Sequence, residues 1–210
     1  PYLEFVFLTG ITKFSQLSIF SELNNLKNIS MRTDYAGVCG ITKEEMLTAM
    51  SDYIDDFAEA QEITREETIE GLKRQYDGYH FTWPSPDVFN PFSLLNAFQD
   101  HDYTNYWFSS GTPTYLIEML RKFNVVPSDI NQMQALASDF DAPTENMSSI
   151  TPLLYQSGYV TIKDFDKATR LYTLDIPNGE IRVGLMDSLL PKYVERRKEA
   201  GNTTIAKMYL

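Results

Sequence analysis

The chain has few of the residue types that form redox or metal sites. Its 210 residues include one cysteine and two histidines, so an intrachain disulfide is excluded and a zinc site built from these residues is disfavoured. Cys39 could pair with a histidine as a nucleophile. The ordinary role of a lone cysteine is that of a small buried hydrophobe, and we expect that role here. A single cysteine also suits a reducing compartment, so we expect a cytoplasmic protein.

Long apolar runs are missing as well. No stretch approaches the roughly 18 consecutive apolar residues of a membrane-spanning helix, and no charged and then apolar leader opens the chain. We therefore expect no membrane association. Hydrophobic residues make up 43% of the chain and aromatic residues 13%, a composition typical of globular domains and not of disordered ones.

Positive charge is scarce. The chain carries 18 basic and 29 acidic residues, for a net charge of -11. From Glu44 to Asp77, eleven acids stand against three basic residues. Acidic helices repel phosphate backbones, which argues against nucleic acid as a partner. A solvated helix face is the simpler explanation of the acidic run.

Sequence signatures of catalysis are also absent. The chain has no G-x-x-x-x-G-K-[ST] and therefore no phosphate-cradling P-loop, and it has no G-x-G-x-x-G, H-E-x-x-H or G-x-S-x-G. Asp175, Glu180 and Arg182 mimic a nuclease cluster only loosely, because arginine replaces lysine and the spacing falls on a predicted hairpin turn. We assign no catalytic residue.

The first strand signal is an isolated one. The stretch "LEFVFLT", residues 3–9, is almost continuously apolar or β-branched and is ended by Gly10, as in a strand buried on both faces of a parallel sheet. No other run has that character. Since the chain opens on Pro1 and closes on the helical fragment "IAKMYL", we expect a piece of a longer protein, and we expect residues 2–8 to form a homodimer contact through their unpaired edge.

Helix starts are the clearest local signals. Thr42 with Glu45, and Thr64 with Glu67, form capping boxes. Asn90-Pro91 and Thr112-Pro113 have the cap residue followed by proline that begins many helices. Apolar residues at helical spacing follow the first box and predict one amphipathic helix: Leu47, Met50, Ile54 and Phe57. A further helix is predicted near residues 128–136.

The last third changes character. The pattern predicts a helix ending at Gly158, two alternating strands at residues 159–164 and 170–176, a short third strand at 181–183 and a C-terminal helix. Helix, hairpin and helix in this order are typical of a winged-helix unit. We therefore predict an α+β fold, mostly helical.

Several strings are recognisable as a set. "FVFLTGITKFSQLSIFSELNNLKNIS", "YDGYHF", "VFNPFSLLNAF", "YWFSSGTPTYLIEML" and "LLYQSGYVTI" occur in order over nearly all of the chain. Together they resemble the AAA-ATPase-like proteins abundant in anaerobic bacteria. Members of that family resemble STAND-type P-loop ATPases, with a nucleotide-binding core, a helical lid, a winged helix and a nuclease-like domain of the PD-(D/E)xK kind.

The resemblance implies a division of the chain into three parts. Residues 1–42 would be the remnant of the nucleotide-binding core, with the first strand as its sensor-1 strand. Residues 43–127 would be the helical lid with a small hairpin, and residues 128–210 the winged-helix-like domain. The P-loop core and the nuclease-like domain would lie outside the chain, as its missing partners.

The same resemblance implies nucleotide-facing residues for ATP and Mg in the intact protein. Thr9 occupies the sensor-1 position, where a hydroxyl could contact the γ-phosphate or the attacking water; a strand-end threonine that satisfies its turn is the plain alternative. Gly111 and Pro113 fit the G-x-P signature of STAND-like lids, although helix-start chemistry alone also explains the proline. Without the P-loop, this chain alone is expected to bind ATP weakly or not at all.

Three functions follow as hypotheses. The first is part of a nucleotide-dependent switch, the second a protein-interaction module using the winged helix and the acidic helices, and the third a DNA-binding winged helix. The third ranks last because residues 143–200 carry as many acids as bases and DNA-binding domains have a basic face.

Overall fold

A computed structural model of the chain describes residues 4–5, 27–109, 114–125, 127–140, 142 and 147–194. Only residues 4–5 of the predicted first strand are described, so that strand and the dimer contact expected of it remain predictions. Within them the protein is α+β and mostly helical, as predicted. None of the described helices is long and apolar enough to cross a membrane.

Short strands are interspersed among groups of helices along the chain. The helices are α1 (Lys43–Ala49), α2 (Ser51–Ala60), α3 (Arg65–Tyr76), α4 (Pro91–Asp100), α5 (Tyr106–Ser109), α6 (Thr114–Lys122), α7 (Ala137–Phe140), α8 (Thr151–Gln156) and α9 (Gly179–Val194), with 3-10 turns at Thr33–Tyr35 and Pro127–Ile130. The strands are β1 (Ile41–Thr42), β2 (Val88–Phe89), β3 (Met133–Ala135), β4 (Thr161–Asp166) and β5 (Leu171–Asp175).

The strands form two antiparallel sheets. β1 pairs with β2, and the second sheet has the order β3-β5-β4. In the second sheet Ile162 lies opposite Leu174 and Asp164 opposite Thr173. Lys163 is therefore an extra residue in β4, a β-bulge, and a bulge changes the direction of the side chain at that point.

The predicted helix starts are confirmed where they are described. The N–H of Glu45 donates to Thr42 Oγ1 at 3.2 Å, and the N–H of Thr42 donates to Glu45 Oε2 at 2.8 Å. The box at Thr64 is complete in the same way, and Asn90 Oδ1 accepts from the N–H of Phe92 at 3.0 Å. Each cap satisfies N–H groups that the first helical turn leaves without a partner.

The single helix predicted after Thr42 is wrong. Met50 has φ -117° and ψ 20°, outside the helical region, so α1 ends at Ala49 and α2 begins at Ser51. The predicted apolar face is nevertheless confirmed, since Ile54 and Phe57 are fully buried and Leu47 and Met50 pack against the same cluster. Met46, which was not predicted, is fully buried as well.

Two further predictions are wrong in the last third. Residues 128–136 are a 3-10 turn followed by β3, and residues 181–183 belong to α9 instead of a third strand. The third strand of the sheet is β3, which completes the hairpin from an earlier part of the chain. The two strands of the hairpin, and the helix that ends before Gly158, are confirmed.

The buried side chains form two hydrophobic clusters. The first, called the helical cluster, is built from α1 to α5 and contains Tyr76 and Tyr106. The second, called the sheet cluster, is built from α6 to α9 and the three-stranded sheet, and Tyr79 and Trp107 pack against it. Tyr76 and Tyr79, like Tyr106 and Trp107, are close in sequence but belong to different clusters, so the chain passes between the clusters at these two points.

Candidate functional site

The string "YDGYHF", residues 76–81, lies at the seam between the two clusters. Tyr76 is the last residue of α3, and Tyr79 forms an antiparallel bridge with Val88. Gly78 between them has φ +97°, and a Cβ there would stand 2.5 Å from the carbonyl oxygen of Pro177. Only glycine fits that combination of conformation and space. Only Tyr79 of this string is paired in an extended bridge, while Tyr76 is helical.

Lys163, the bulge residue of β4, reaches this seam. Its Nζ donates to the carbonyl oxygen of Gly78 at 2.7 Å. Burial lowers the pKa of Lys163, and the carboxylates of Asp87, Asp175 and Asp77 oppose that effect. A partly buried ammonium is stabilised by such acids, so Lys163 joins the sheet to the end of α3 by charge as well as by a hydrogen bond.

Thr161 makes the second connection across the seam, through two hydrogen bonds. Its hydroxyl accepts from the N–H of His80 at 2.7 Å and donates to the carbonyl oxygen of the same residue at 2.9 Å. Both residues are buried. Buried backbone groups require partners, and one hydroxyl here supplies both.

The start of α9 provides the third connection. Asn178 Oδ1 accepts from the N–H of Ile181 at 3.1 Å, as a helix cap does, while its Nδ2 donates to the carbonyl oxygen of Asp77 at 3.1 Å. A Cβ on Gly179 would stand 2.8 Å from Gln75 Oε1. The beginning of α9 is therefore packed closely against the end of α3.

Glu180 is a fully buried carboxylate in the first turn of α9. Its Oε2 accepts from Ser93 Oγ at 2.7 Å, and its Oε1 accepts from the N–H of Trp107 at 2.8 Å. Burial raises the pKa of Glu180, and the two hydrogen bonds counter this in part. The carboxylate thereby fixes α9 against α4 and α5 of the helical cluster.

Ser85, His80 and Asp87 are arranged like a hydrolase triad. His80 Nε2 lies 2.7 Å from Asp87 Oδ1, and His80 Nδ1 lies 3.0 Å from Ser85 Oγ. Ser85 lies between Pro84 and Pro86, however, and the proline that follows it has no N–H to stabilise an oxyanion. Ser85 Oγ also donates to the carbonyl oxygen of Thr82 at 3.0 Å. The arrangement closes the loop and does not resemble an acyl-transfer centre.

The residues predicted to face the nucleotide are not among those described. Thr9, Gly111 and Pro113 all lie outside the described ranges, so they remain predictions. Cys39 is exposed, and its predicted burial is wrong. Its neighbours explain this, because Cys39 lies in a turn-rich stretch with exposed Val38 and not in a regular element. In the described part of the chain, no three acidic, histidine or cysteine side chains are placed to hold a metal ion.

Sequence reasoning missed the polar groups of the seam. The sequence pattern places Thr161 and Lys163 in a strand, and it offers Glu180 only as part of a loose nuclease-like cluster with Asp175 and Arg182. The one sequence signal for these three residues is that a charged or hydroxyl side chain stands where the hydrophobic pattern of the element requires an apolar one. The partners of the "YDGYHF" string are 81 to 101 residues away in the chain, beyond the reach of local sequence patterns.

The chain is similar to a curated protein described as an "uncharacterized protein in vnfD 5'region" of Azotobacter chroococcum mcd 1. The two are 32% identical over 195 residues, which is 92% of this chain and 36% of that protein. The chain thus spans about a third of the length of this relative. No family model matches the chain, and no solved structure matches it.

Proposed function

We propose that the chain is the lid and winged-helix portion of a nucleotide-dependent switch protein of the AAA-ATPase-like, STAND type. The observation that carries the proposal is the polar seam. Directed hydrogen bonds join the sheet and α9 to the helical unit, which comprises α1 to α5 and the loops between them. These bonds are made by Thr161, Lys163 and Glu180. Hydrogen bonds fix orientation more sharply than apolar contacts do, so the two units would transmit a change of position as one body.

The topology of the elements from α6 to β5 supports the winged-helix part of the proposal. It runs as helix α6, strand β3, helices α7 and α8, and then the hairpin β4-β5, with the sheet order β3-β5-β4. A winged helix has this succession of elements, with the hairpin as its wing. The order of the described elements from α6 to β5 therefore supports this part of the proposal.

In the intact protein, Thr9 would contact the nucleotide from the core, and the backbone at Gly111 and Pro113 would face it from the lid. Bound Mg-ATP would supply the differential binding energy that shifts the equilibrium between two orientations of core and lid. The residues of the seam would keep lid and winged helix together during that shift. The protein would act in the cytoplasm.

The test compares the whole protein that contains this chain with the 210-residue chain alone. We expect calorimetry to show ATP binding to the whole protein and weak or no binding to the chain. Thr9→Val should slow hydrolysis in the whole protein, whereas Thr33→Val, at an exposed site, should not. A whole protein that binds no ATP at millimolar concentration would overturn the proposal.

A second candidate function is a protein-interaction module. The observation in its favour is an exposed apolar pair on α4, Phe92 and Leu95, of which about half remains accessible (50% and 52%). A partner that binds with and without nucleotide, and is lost in Phe92→Ser/Leu95→Ser, would favour this function. For DNA binding the structure offers less, because the hairpin exposes Asp164 and Asp166 together with Lys167 and Arg170.

A further inference from the structure

A cleft lies on the side of the helical unit next to the seam. It has a volume of about 370 Å³, within the range of small-ligand sites. Its walls come from the start of α1, the end of α3 and the loop before β2. The lining residues are Thr42, Lys43, Glu44, Lys73, Asp77, Pro86 and Asp87.

Asp77 is the buried member of this lining. Only 6% of the residue is exposed, yet its Oδ1 has no hydrogen-bond partner among the described residues. An unpartnered buried carboxylate oxygen is costly, since it has lost water and gained no donor in return. A bound donor would remove that cost.

The surroundings of Asp77 favour a positive charge. The residue follows the last turn of α3, a 12-residue helix, and the C-terminal end of a helix attracts cations and repels a carboxylate. Burial raises the pKa of Asp77 and the Asp87 carboxylate adds to the rise, while a hydrogen bond from the Gly78 backbone and the charges of Lys73 and Lys163 oppose it. An asparagine of the same shape would avoid both penalties, so the acid is poorly explained by packing alone.

The nearby lysines leave this negative wall incompletely neutralised. Lys73 pairs with Glu70 at 3.4 Å, and Lys163 is directed to the carbonyl oxygen of Gly78. Lys43 is exposed at the start of α1. The lining itself carries three acids and two lysines, and Lys163, outside the lining, balances part of the charge of Asp77 and Asp87.

A metal ion fits the lining poorly. In the described ranges no three acidic, histidine or cysteine side chains are grouped closely enough to ligate one. A cation that brings its own hydrogen-bond donors needs fewer protein ligands, because each N–H can be matched by a single oxygen.

We propose that this cleft binds an organic cation, a protonated primary amine whose N–H groups donate to Asp77 and whose charge is balanced by Asp77 and Asp87. The amine belongs either to a small molecule or to a lysine side chain of a peptide. The proposal goes beyond the nucleotide switch and does not depend on it.

The test is calorimetric titration of the full 210-residue chain with two probes. Cadaverine represents a small amine, and N-acetyl-Gly-Lys-Gly-amide represents a lysine side chain. Diacetylcadaverine and the Nε-acetylated peptide are the matched uncharged controls. We expect saturable binding of at least one charged probe and none of the controls; which probe binds identifies the source of the amine.

Variants locate the site. Asp77→Asn should weaken binding about tenfold or more, as expected for loss of a charge-assisted hydrogen bond. Asp56→Asn removes the same charge from an exposed position of α2 and should leave binding unchanged. Glu44→Gln, an exposed member of the lining, should weaken binding by a smaller factor and serves if Asp77→Asn does not fold.

Two results would overturn the proposal. One is the absence of saturable binding of either charged probe at millimolar concentration. The other is binding that persists unchanged in both Asp77→Asn and Glu44→Gln, which would place the amine elsewhere on this acidic chain.

Discussion

The hydroxyl of Thr161 completes both backbone hydrogen bonds of His80, accepting at 2.7 Å and donating at 2.9 Å. The two residues are 81 positions apart in the chain. The first residue of β4 thereby takes the place of a neighbouring strand for the segment that follows Gly78. The polar seam is therefore held by hydrogen bonds from side chains to backbone groups. Its stability depends on these polar side chains, which a purely hydrophobic contact would not require.

Thr161→Val should be strongly destabilising. Valine keeps the shape but leaves a buried N–H and a buried carbonyl of His80 without partners, at a cost of about 2–4 kcal/mol. Urea denaturation monitored by circular dichroism measures the loss. Thr161→Ser retains the hydroxyl and should cost clearly less; equal losses in the two variants would mean that the methyl group, and not the hydroxyl, matters.

Gly78→Ala should also destabilise the fold. The added Cβ meets the Pro177 carbonyl at 2.5 Å while φ is +97°, and strain of this kind costs of order 1–3 kcal/mol before any displacement of α9. Gly37→Ala is the matched control, because its Cβ would make only an ordinary 3.7 Å contact with Thr42. Thermal melting of the two variants measures the difference in stability. A Gly78→Ala protein as stable as Gly37→Ala would contradict the close contact of Gly78 with Pro177 and its positive φ.

The sequence predicted those features of the fold that depend on short-range chemistry. The capping boxes at Thr42 and Thr64 satisfy N–H groups three residues away, so the pattern alone specifies them. The break at Met50 was missed because apolar spacing continues across it, and the backbone hydrogen bonds on either side are kept. Periodicity alone does not detect a single non-helical residue between two helices.

The strand at residues 133–135 and the helix at 181–183 were missed for a different reason. β3 is only three residues long and exists because β5 offers it an edge, so its sequence contains too little alternation to be recognised. Residues 181–183 were predicted to be a strand, but the side chain of Asn178 accepts from the N–H of Ile181 and caps α9 there. The candidate cleft was beyond sequence reasoning altogether, since it brings residues 42–44 next to residues 73–87.

His80 should titrate at lower pH than an ordinary histidine. Burial lowers its pKa from 6.5, and the nearby Asp87 carboxylate raises it again in part. The folded state therefore binds fewer protons than the unfolded state just below pH 6.5, and the contribution of His80 to stability is lost as pH falls through the folded pKa. An NMR titration of the imidazole should show a pKa below 6.5, and a still lower one in Asp87→Asn.

A suitable control for that titration is Asp164→Asn, which removes an exposed carboxylate of β4 that makes no bond to His80. It should leave the His80 pKa where it is in the wild type. A His80 pKa above 6.5 in the wild type, or one that rises in Asp87→Asn, would contradict the arrangement of this loop.

Glu180→Gln should change how stability depends on pH. Burial raises the pKa of Glu180 above its ordinary value of 4.5, so between these two values the folded state holds a proton that the unfolded state has released. The stability from this group is complete below about pH 4.5 and is lost as pH rises through the folded pKa. Glutamine does not titrate and can still accept from the N–H of Trp107.

The measurement is the free energy of unfolding of wild type and Glu180→Gln at a series of pH values. The wild type should lose stability relative to the variant as pH rises above 4.5, and Glu180→Ala should be less stable than both because Ser93 and Trp107 lose their acceptor. A difference between wild type and Glu180→Gln that is constant with pH would show that the carboxylate does not titrate abnormally.

Lys163 and Asp77 should show energetic coupling although neither touches the other directly. Lys163→Met leaves the Gly78 carbonyl without its donor and removes a positive charge from Asp77, Asp87 and Asp175, at a cost of about 1.5–3 kcal/mol for the charged hydrogen bond. Asp77→Asn removes one of the acids that this ammonium balances. In the double variant, Lys163→Met should therefore cost less than it does in the wild type, and a double-mutant cycle of unfolding free energies measures the difference. Lys163→Met combined with Asp56→Asn, which lies away from the seam, should be additive. If both cycles are additive, the carboxylate of Asp77 does not compensate the Lys163 ammonium. Another group must then balance the charge of Asp77 at the end of α3.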